Sequence, residues 1–292
     1  MKRFLQRSCL ALLRPIARIA RSALTPEERP LTFDWHEIKG GNAKNCSLLL
    51  PVERPITESI CSGKYEQEIM RFVENLVDPE MCCYDIGGHY GYYSVTLASL
   101  AKEGSVHTFE PVASHANRIQ QAISKSKLNH TQVHQLAVAG ECGELELKFA
   151  GENGDDSMAY LATYGGVDTS AAHEHYQSFH QTTVETITLD KAAEQYGKPQ
   201  FIKIDAEGAE GPILEGARSL IHSERPRLLI EVHGIQETMH CAEVLHNLDY
   251  QAVLLTKQKT TLPILWVHRS DTEALRIVEH VLEAPPNIFF KG

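Results

Sequence analysis

The spacing of hydrophobic and polar residues indicates alternating helices and strands from residue 64 onward. An apolar stripe at helical spacing predicts a helix over 64–77. Beyond it, short apolar runs typical of strands alternate with helical stretches. We predict strands at 81–85, 106–110, 133–138, 201–205, 228–232, 251–255 and 287–290. We predict helices at 92–101, 113–127, 212–221 and 238–248.

This alternation predicts the fold class. Strands that alternate with helices build a mostly parallel sheet with helices on both faces. We therefore expect an α/β, Rossmann-like domain of about seven strands over 64–292. A strand-and-turn preface at 26–63 and an arm at 1–25 form an N-terminal extension.

The stretch 140–188 interrupts the pattern. Residues 144–149 alternate as a strand does, whereas 151–181 are polar and rich in glycine. The latter segment is too long for a simple connection, so we expect a loop that contacts the substrate. It contains His173 and His175, with His180 near its end. The spacing of His173 and His175 suits metal ligands, although surface histidines are the simpler interpretation of this pair.

Charge and cysteine content narrow the function classes. The net charge of the 292 residues is −10, which argues against a nucleic-acid partner. Residues 1–25 nevertheless carry six basic and no acidic side chains, so this arm is expected either to lie on an anionic membrane or to pack as a helix. No apolar stretch is long enough to span a bilayer.

The seven cysteines are scattered without a C-x-x-C pair, which favours reduced thiols in the cytoplasm.

A glycine-rich turn after the first strand of the alternation predicts a cofactor site. In an open α/β sheet the ends of adjacent strands border a crevice for a nucleotide-like ligand, and a carboxylate at the second strand's tip can accept ribose hydroxyls. The order Asp-x-Gly-x-x-x-Gly departs from the dinucleotide pattern G-x-G-x-x-G and suits S-adenosylmethionine better. The candidate cofactor-binding residues are Asp85, Gly87, Gly88, His89, Gly91 and Glu110.

Polar residues near the ends of two later strands predict the reacting end of the site. The candidate catalytic residues are Lys203, Asp205, Glu231 and His233. His233 has the ordinary pKa of a general base. Asp205 and Glu231 are alternative bases, or ligands of a divalent cation that acidifies a hydroxyl. Lys203 either stabilises an alkoxide or pairs with the acids, and we expect Glu210 to complement the N-terminus of the next helix.

These motifs together resemble the FkbM-type methyltransferases. The resemblance covers about 64–235 and a last strand at 287–290. It is carried by the segments DIGGHYGYYS at 85–94, FEP at 109–111, DS at 156–157, VETITLD at 184–190, IKIDAEGAE at 202–210, LEGA at 214–217, RP at 225–226 and LIE at 229–231. It implies a class I methyltransferase fold and S-adenosylmethionine-dependent O-methylation of a sugar, a glycan or a hydroxylated small metabolite. The family's usual Gly-Ala-Asn is Gly87-Gly88-His89 in this chain.

Two other function classes remain open from the sequence. One is an NAD-dependent oxidoreductase, although the third glycine of its motif is missing. The other is a non-catalytic relative that serves as a membrane- or glycan-associated scaffold, because a fold alone does not determine function.

Overall fold

A computed structural model describes residues 31–52, 54–150, 159–164, 179–255 and 261–283 of the chain. The basic arm at 1–25, His173, His175 and the expected strand at 287–290 lie outside the described residues. The described strands are β1 (Phe33–Glu37), β2 (Ser47–Pro51), β3 (Cys82–Ile86), β4 (Ser105–Phe109), β5 (Thr131–His134), β6 (Ala137–Val138), β7 (Gly143–Ala150), β8 (Ala159–Leu161), β9 (Phe179–Ile187), β10 (Phe201–Ile204), β11 (Arg227–Val232), β12 (Tyr250–Leu254) and β13 (Leu262–His268). The described helices are α1 (Pro55–Cys61), α2 (Gln67–Leu76), α3 (Tyr92–Leu100), α4 (Ala113–Lys125), α5 (Leu189–Tyr196), α6 (Glu210–Glu215), α7 (Arg218–Glu224), α8 (Ile235–Asn247) and α9 (Thr272–Glu283).

Seven strands form the central sheet in the order β12-β13-β11-β10-β3-β4-β5. The five strands from β11 to β5 run parallel, while β13 is antiparallel to both of its neighbours. This arrangement confirms the predicted α/β fold of about seven mostly parallel strands. The antiparallel strand is Leu262–His268, a segment that the sequence pattern did not identify.

Alternate residues of the buried strands point into two cores, one on each face of the sheet. Cys83 and Leu229 pack on the first face with helices α1 to α4 and α9. Tyr84 and Ile230 pack on the second face with helices α5 to α8. Strands β10 and β11 are covered on both sides, which explains why their sequences are mostly apolar.

Two small additions border the central sheet. The antiparallel hairpin β1–β2 and helix α1 form most of the described preface, and Leu48 and Leu50 are fully buried in the first core. A second sheet has the order β6-β9-β7-β8. It includes 159–161 and 179–181, so the expectation of a continuous loop over 151–181 was wrong for these residues.

Candidate functional site

The strand register brings the carboxyl ends of four parallel strands to one level. Ile86 is in register with Phe109 of β4 and with Ile204 of β10. Ile204 is in turn in register with Ile230 of β11. The residues that follow these four positions therefore lie side by side: Gly87, Glu110, Asp205 and Glu231.

A cavity of about 570 Å³ opens above these strand ends, and we call it the site cavity. Gly87, His89 and Glu110 line one part of it, and Asp205, Glu207, Glu231 and His233 line another. Leu147, Ala159, Tyr160 and Leu161 of the second sheet form a wall. Its volume lies within the range of small-molecule and cofactor sites, roughly 300–1,000 Å³.

The glycine turn at the start of the site is explained by packing within the protein. A Cβ atom on Gly87, at φ +79°, would lie 1.9 Å from the backbone oxygen of Asp205. A Cβ on Gly88 would approach Thr108 and Ile119 within 2.7 Å. Gly91 begins helix α3 with φ 82°. These contacts favour glycine at positions 87 and 88 whether or not a ligand is bound. Gly88 and Gly91 are not among the residues that line the site cavity.

His89 adopts the left-handed conformation, with φ 47°. Histidine, like asparagine, is enriched there among non-glycine residues, so His89 is compatible with this turn. Its Nε2 is buried and has no hydrogen-bond partner among the described residues. Burial, followed by the charges of His115 and Lys203, lowers the pKa of His89 well below its usual value. A neutral imidazole nitrogen is therefore available to a ligand.

Glu110 is a buried carboxylate at the tip of β4. Its Oε2 accepts a hydrogen bond from the His89 backbone N–H at 2.8 Å, and its Oε1 accepts one from the Val112 N–H at 2.9 Å. Burial alone would raise the pKa of this carboxyl, but the interaction with His115 and the two backbone N–H groups keep it below its usual value. Glu110 is thus ionised at neutral pH, with lone pairs left for further donors.

Asp85 and Lys203 lie beneath the site cavity rather than on its surface. Asp85 is fully buried and accepts a hydrogen bond from Ser94 Oγ at 2.7 Å, while its Oδ1 is 3.6 Å from Lys203 Nζ. Lys203 Nζ also donates to the Gly87 carbonyl at 3.0 Å and lies 3.4 Å from Asp205. Burial opposes the Lys203 ammonium, but Asp205 and Asp85 outweigh it and raise its pKa. Neither residue is among those that line the site cavity, whereas Lys203 lines a smaller neighbouring cavity together with Gly87, His89 and Asp205.

Asp205, Glu207 and His233 converge on one side of the site cavity, and we call them the rim cluster. His233 Nε2 lies 3.8 Å from Asp205 Oδ1 and 3.5 Å from Glu207 Oε2. On its other side, His233 Nδ1 is 2.9 Å from Glu210 Oε1. Glu210 Oε1 also accepts from the backbone N–H groups of Ala206 and Gly208.

The structure gives Glu210 a contact beyond its expected place at the start of a helix. It is fully buried, and its carboxylate also bonds to His233. Burial lowers the pKa of His233, yet the bond to Glu210 and the charges of Glu207 and Asp205 outweigh it and raise that pKa to about 10. The protein without ligands therefore holds an imidazolium, which has no free lone pair to accept a proton. The ordinary pKa that favoured His233 as a general base does not apply here.

The carboxyl groups of Asp205 and Glu207 also have raised pKa values, which for an acid favours the neutral form. Burial raises the pKa of Glu207 to about 7, although His233 counteracts it, and burial also raises the pKa of Asp205. Glu231 lines the same cavity but accepts a hydrogen bond from Thr261 Oγ1 and does not belong to the group of potential metal ligands. Those ligands are Asp205, Glu207 and His233, so Glu207 replaces Glu231 in the pair expected from the sequence. The position of Glu207 in the loop after β10, two residues beyond Asp205, is the sequence feature that could have identified it.

Among the described helices, none is long and apolar enough to cross a membrane.

His180 lies in β9, where its exposed ring stacks on Phe149 at 5.7 Å between ring centroids. It does not line the site cavity.

Comparison with known proteins supplies a family. The family model described as the Methyltransferase FkbM domain matches residues 85–252. No curated protein matches the chain.

Several solved structures are similar to this chain. The Methyltransferase FkbM structure from Methylobacillus flagellatus KT has 17% sequence identity and a TM-score of 0.47, covering 65% of this chain and 44% of that chain. The chain thus spans less than half the length of that protein. The METTL16 MTase domain has 12% identity and a TM-score of 0.47, with 76% and 73% covered. M. jannaschii TYW2 in complex with AdoMet has 11% identity and a TM-score of 0.40, with 82% and 85% covered.

Proposed function

Because the chain belongs to the FkbM methyltransferase domain family, a family of S-adenosylmethionine-dependent enzymes, we propose that it methylates a hydroxyl group. The acceptor is a sugar, a glycan or a hydroxylated small metabolite. The observation that carries this proposal is the site cavity, with an ionised carboxylate at one strand tip and the rim cluster near two others.

The residues present fit S-adenosylmethionine. Glu110 has lone pairs for the ribose hydroxyls, and the orphaned Nε2 of His89 can bond a polar group of the cofactor. The cofactor supplies the electrophilic methyl group when bound. Lys203 and Asp85 support the floor below it by holding Gly87 in place.

The reaction itself asks for alignment and for removal of one proton. The acceptor oxygen forms a bond to the methyl carbon while the methyl–sulfur bond breaks, and its electron pair remains on sulfur. The hydroxyl proton leaves toward the rim cluster. Glu207 is suited to receive it because its pKa of about 7 is close to the working pH. A cation bound at the same place would serve by lowering the pKa of the hydroxyl.

The experiment that tests the proposal compares ligands and then acceptors. S-adenosylmethionine should raise the melting temperature of the full chain, whereas NAD should not. Transfer of a labelled methyl group should then be detected by mass spectrometry across a panel of glycans and hydroxylated metabolites. Stabilisation by NAD instead would favour the oxidoreductase, and stabilisation by neither would favour the scaffold.

Replacing Glu110 by glutamine should weaken S-adenosylmethionine binding at least about tenfold, because hydrogen bonds to charged groups contribute ~1.5–3 kcal/mol each. Isothermal titration calorimetry measures the change. Glu103→Gln is the control, since Glu103 is exposed at the other end of β4. Equal affinities for Glu110→Gln and the unmodified chain would remove Glu110 from the cofactor site.

A further inference from the structure

We propose that the rim cluster binds a divalent transition-metal cation through Asp205, Glu207 and His233. One potential ligand atom from each residue lies within 4.8 Å of the other two. Protein ligands stand about 2.0–2.6 Å from such a cation, so two ligands on opposite sides are roughly 4–5 Å apart. The spacing of the three groups already matches a shared coordination sphere.

The way His233 is held supports this assignment. Its Nδ1 is bonded to Glu210, a carboxylate with no exposed surface, and backbone N–H groups fix that carboxylate in turn. Metal-binding histidines characteristically bond their other ring nitrogen to a carboxylate in this way, which sets the orientation of the ring. The result here is that Nε2 faces Asp205 and Glu207.

The charges around the cluster also favour a cation. Four carboxylates lie on this side of the cavity: Asp205, Glu207, Glu210 and Glu231. A fifth carboxylate, that of Asp85, lies beneath the cavity. Lys203 and His233 oppose them at Asp205, and His233 opposes them at Glu207. The ion-pair distances of Asp205 and Glu207 to Lys203 and His233 are 3.4 to 3.8 Å.

The ligand set selects the kind of cation. Two carboxylates and one imidazole combine the oxygen ligands that Mn²⁺ accepts with the nitrogen ligand that Zn²⁺ and Fe²⁺ favour. Mg²⁺ and Ca²⁺ prefer oxygen ligands alone. In the proposed methyl transfer, on which this last step rests, the cation would lower the pKa of the acceptor hydroxyl, and the hydroxyl proton would leave to solvent water. Glu207 would then hold the cation rather than act as a free base.

Calorimetry on the full chain, freed of metals with a chelator, tests the site without cofactor or acceptor. We expect Mn²⁺ and Zn²⁺ to bind at one site. Mn²⁺ electron paramagnetic resonance gives an independent count of bound metal.

Variants identify the ligands. His233→Gln and Glu207→Gln should each lower Mn²⁺ affinity by at least about tenfold, and Glu210→Gln, which only orients the imidazole, by about 10–100-fold. Glu215→Gln is the matched control, since Glu215 contacts His240 at 3.3 Å on the surface, and it should bind Mn²⁺ normally. Circular dichroism and S-adenosylmethionine affinity verify that each variant is folded.

The outcomes separate this inference from the proposed function. If no variant of the rim cluster changes Mn²⁺ affinity, or if the unmodified chain binds none, the metal site is refuted. Full methyl transfer after chelation would refute its role in the reaction while leaving the methyltransferase proposal intact. Conversely, if the chain binds Mn²⁺ tightly but does not bind S-adenosylmethionine, the metal-site proposal stands and the methyltransferase proposal is refuted.

Discussion

Glu207→Gln is expected to reduce the turnover of methyl transfer by about 10²–10⁴ while leaving S-adenosylmethionine affinity nearly unchanged. The carboxylate lines the site cavity and lies 3.5 Å from His233. Its loss removes either the proton acceptor or one ligand of the cation, whichever promotes deprotonation of the hydroxyl. Single-turnover kinetics with labelled cofactor, next to calorimetric cofactor binding, measures the two effects separately.

The same variant distinguishes between the two roles of Glu207. If the carboxylate is a metal ligand, a large excess of Mn²⁺ should restore part of the activity, whereas a general base cannot be restored in that way. Glu215→Gln should match the unmodified chain in both measurements, because it removes a carboxylate near a histidine outside the site. A loss of no more than a few-fold in Glu207→Gln would mean that alignment alone drives the transfer.

The second large effect concerns stability in metal-free protein. The pKa of His233 is raised from 6.5 to about 10 on folding, and the bond to Glu210 contributes strongly to that rise. A raised pKa stabilises the folded state fully below pH 6.5, and the stabilisation disappears as the pH rises through 10. We expect Glu210→Gln to lower the free energy of unfolding by ~3–5 kcal/mol at pH 6.5, since it breaks a buried charged pair.

That difference should shrink as the pH is raised toward 10. Urea denaturation with chelator present, at several pH values for both chains, measures it. Glu215→Gln should cost less than ~1 kcal/mol, because an exposed ion pair contributes little. A difference between Glu210→Gln and the unmodified chain that stays constant from pH 6.5 to 10 would show that His233 is not the titrating partner.

Much of the sheet was predictable because its buried strands are short apolar runs separated by helical stretches. The placement of Asp205 beside Gly87 was also predictable, since adjacent strands β3 and β10 end at the same level. The strand Leu262–His268 was not predicted although it is apolar. Pro263 weakens its strand pattern, and the last strand was predicted at 287–290 instead. Pro263 is near the start of the strand, where its carbonyl accepts from Leu255 N–H.

Other differences arise from contacts that no local pattern encodes. The single helix expected at 212–221 is divided at Gly216, where a Cβ atom would lie 2.8 Å from the Ala139 carbonyl oxygen. The charge of His233 could not be predicted either. It depends on the buried side chain of Glu210 and on two carboxylates that reach the imidazole only after the strands have assembled.

The second sheet has a consequence for how acceptors can diversify. Its strands β7 and β8 pair with each other, and they line the site cavity without belonging to the central parallel sheet that carries Glu110, Asp205 and Glu231. Substitutions at Leu147, Tyr160 or Leu161 therefore reshape one wall of the cavity while the strand ends of the central sheet keep their register. If the proposed function holds, substitutions in this wall would change which acceptor fits the cavity, while the residues at the strand ends would stay in place.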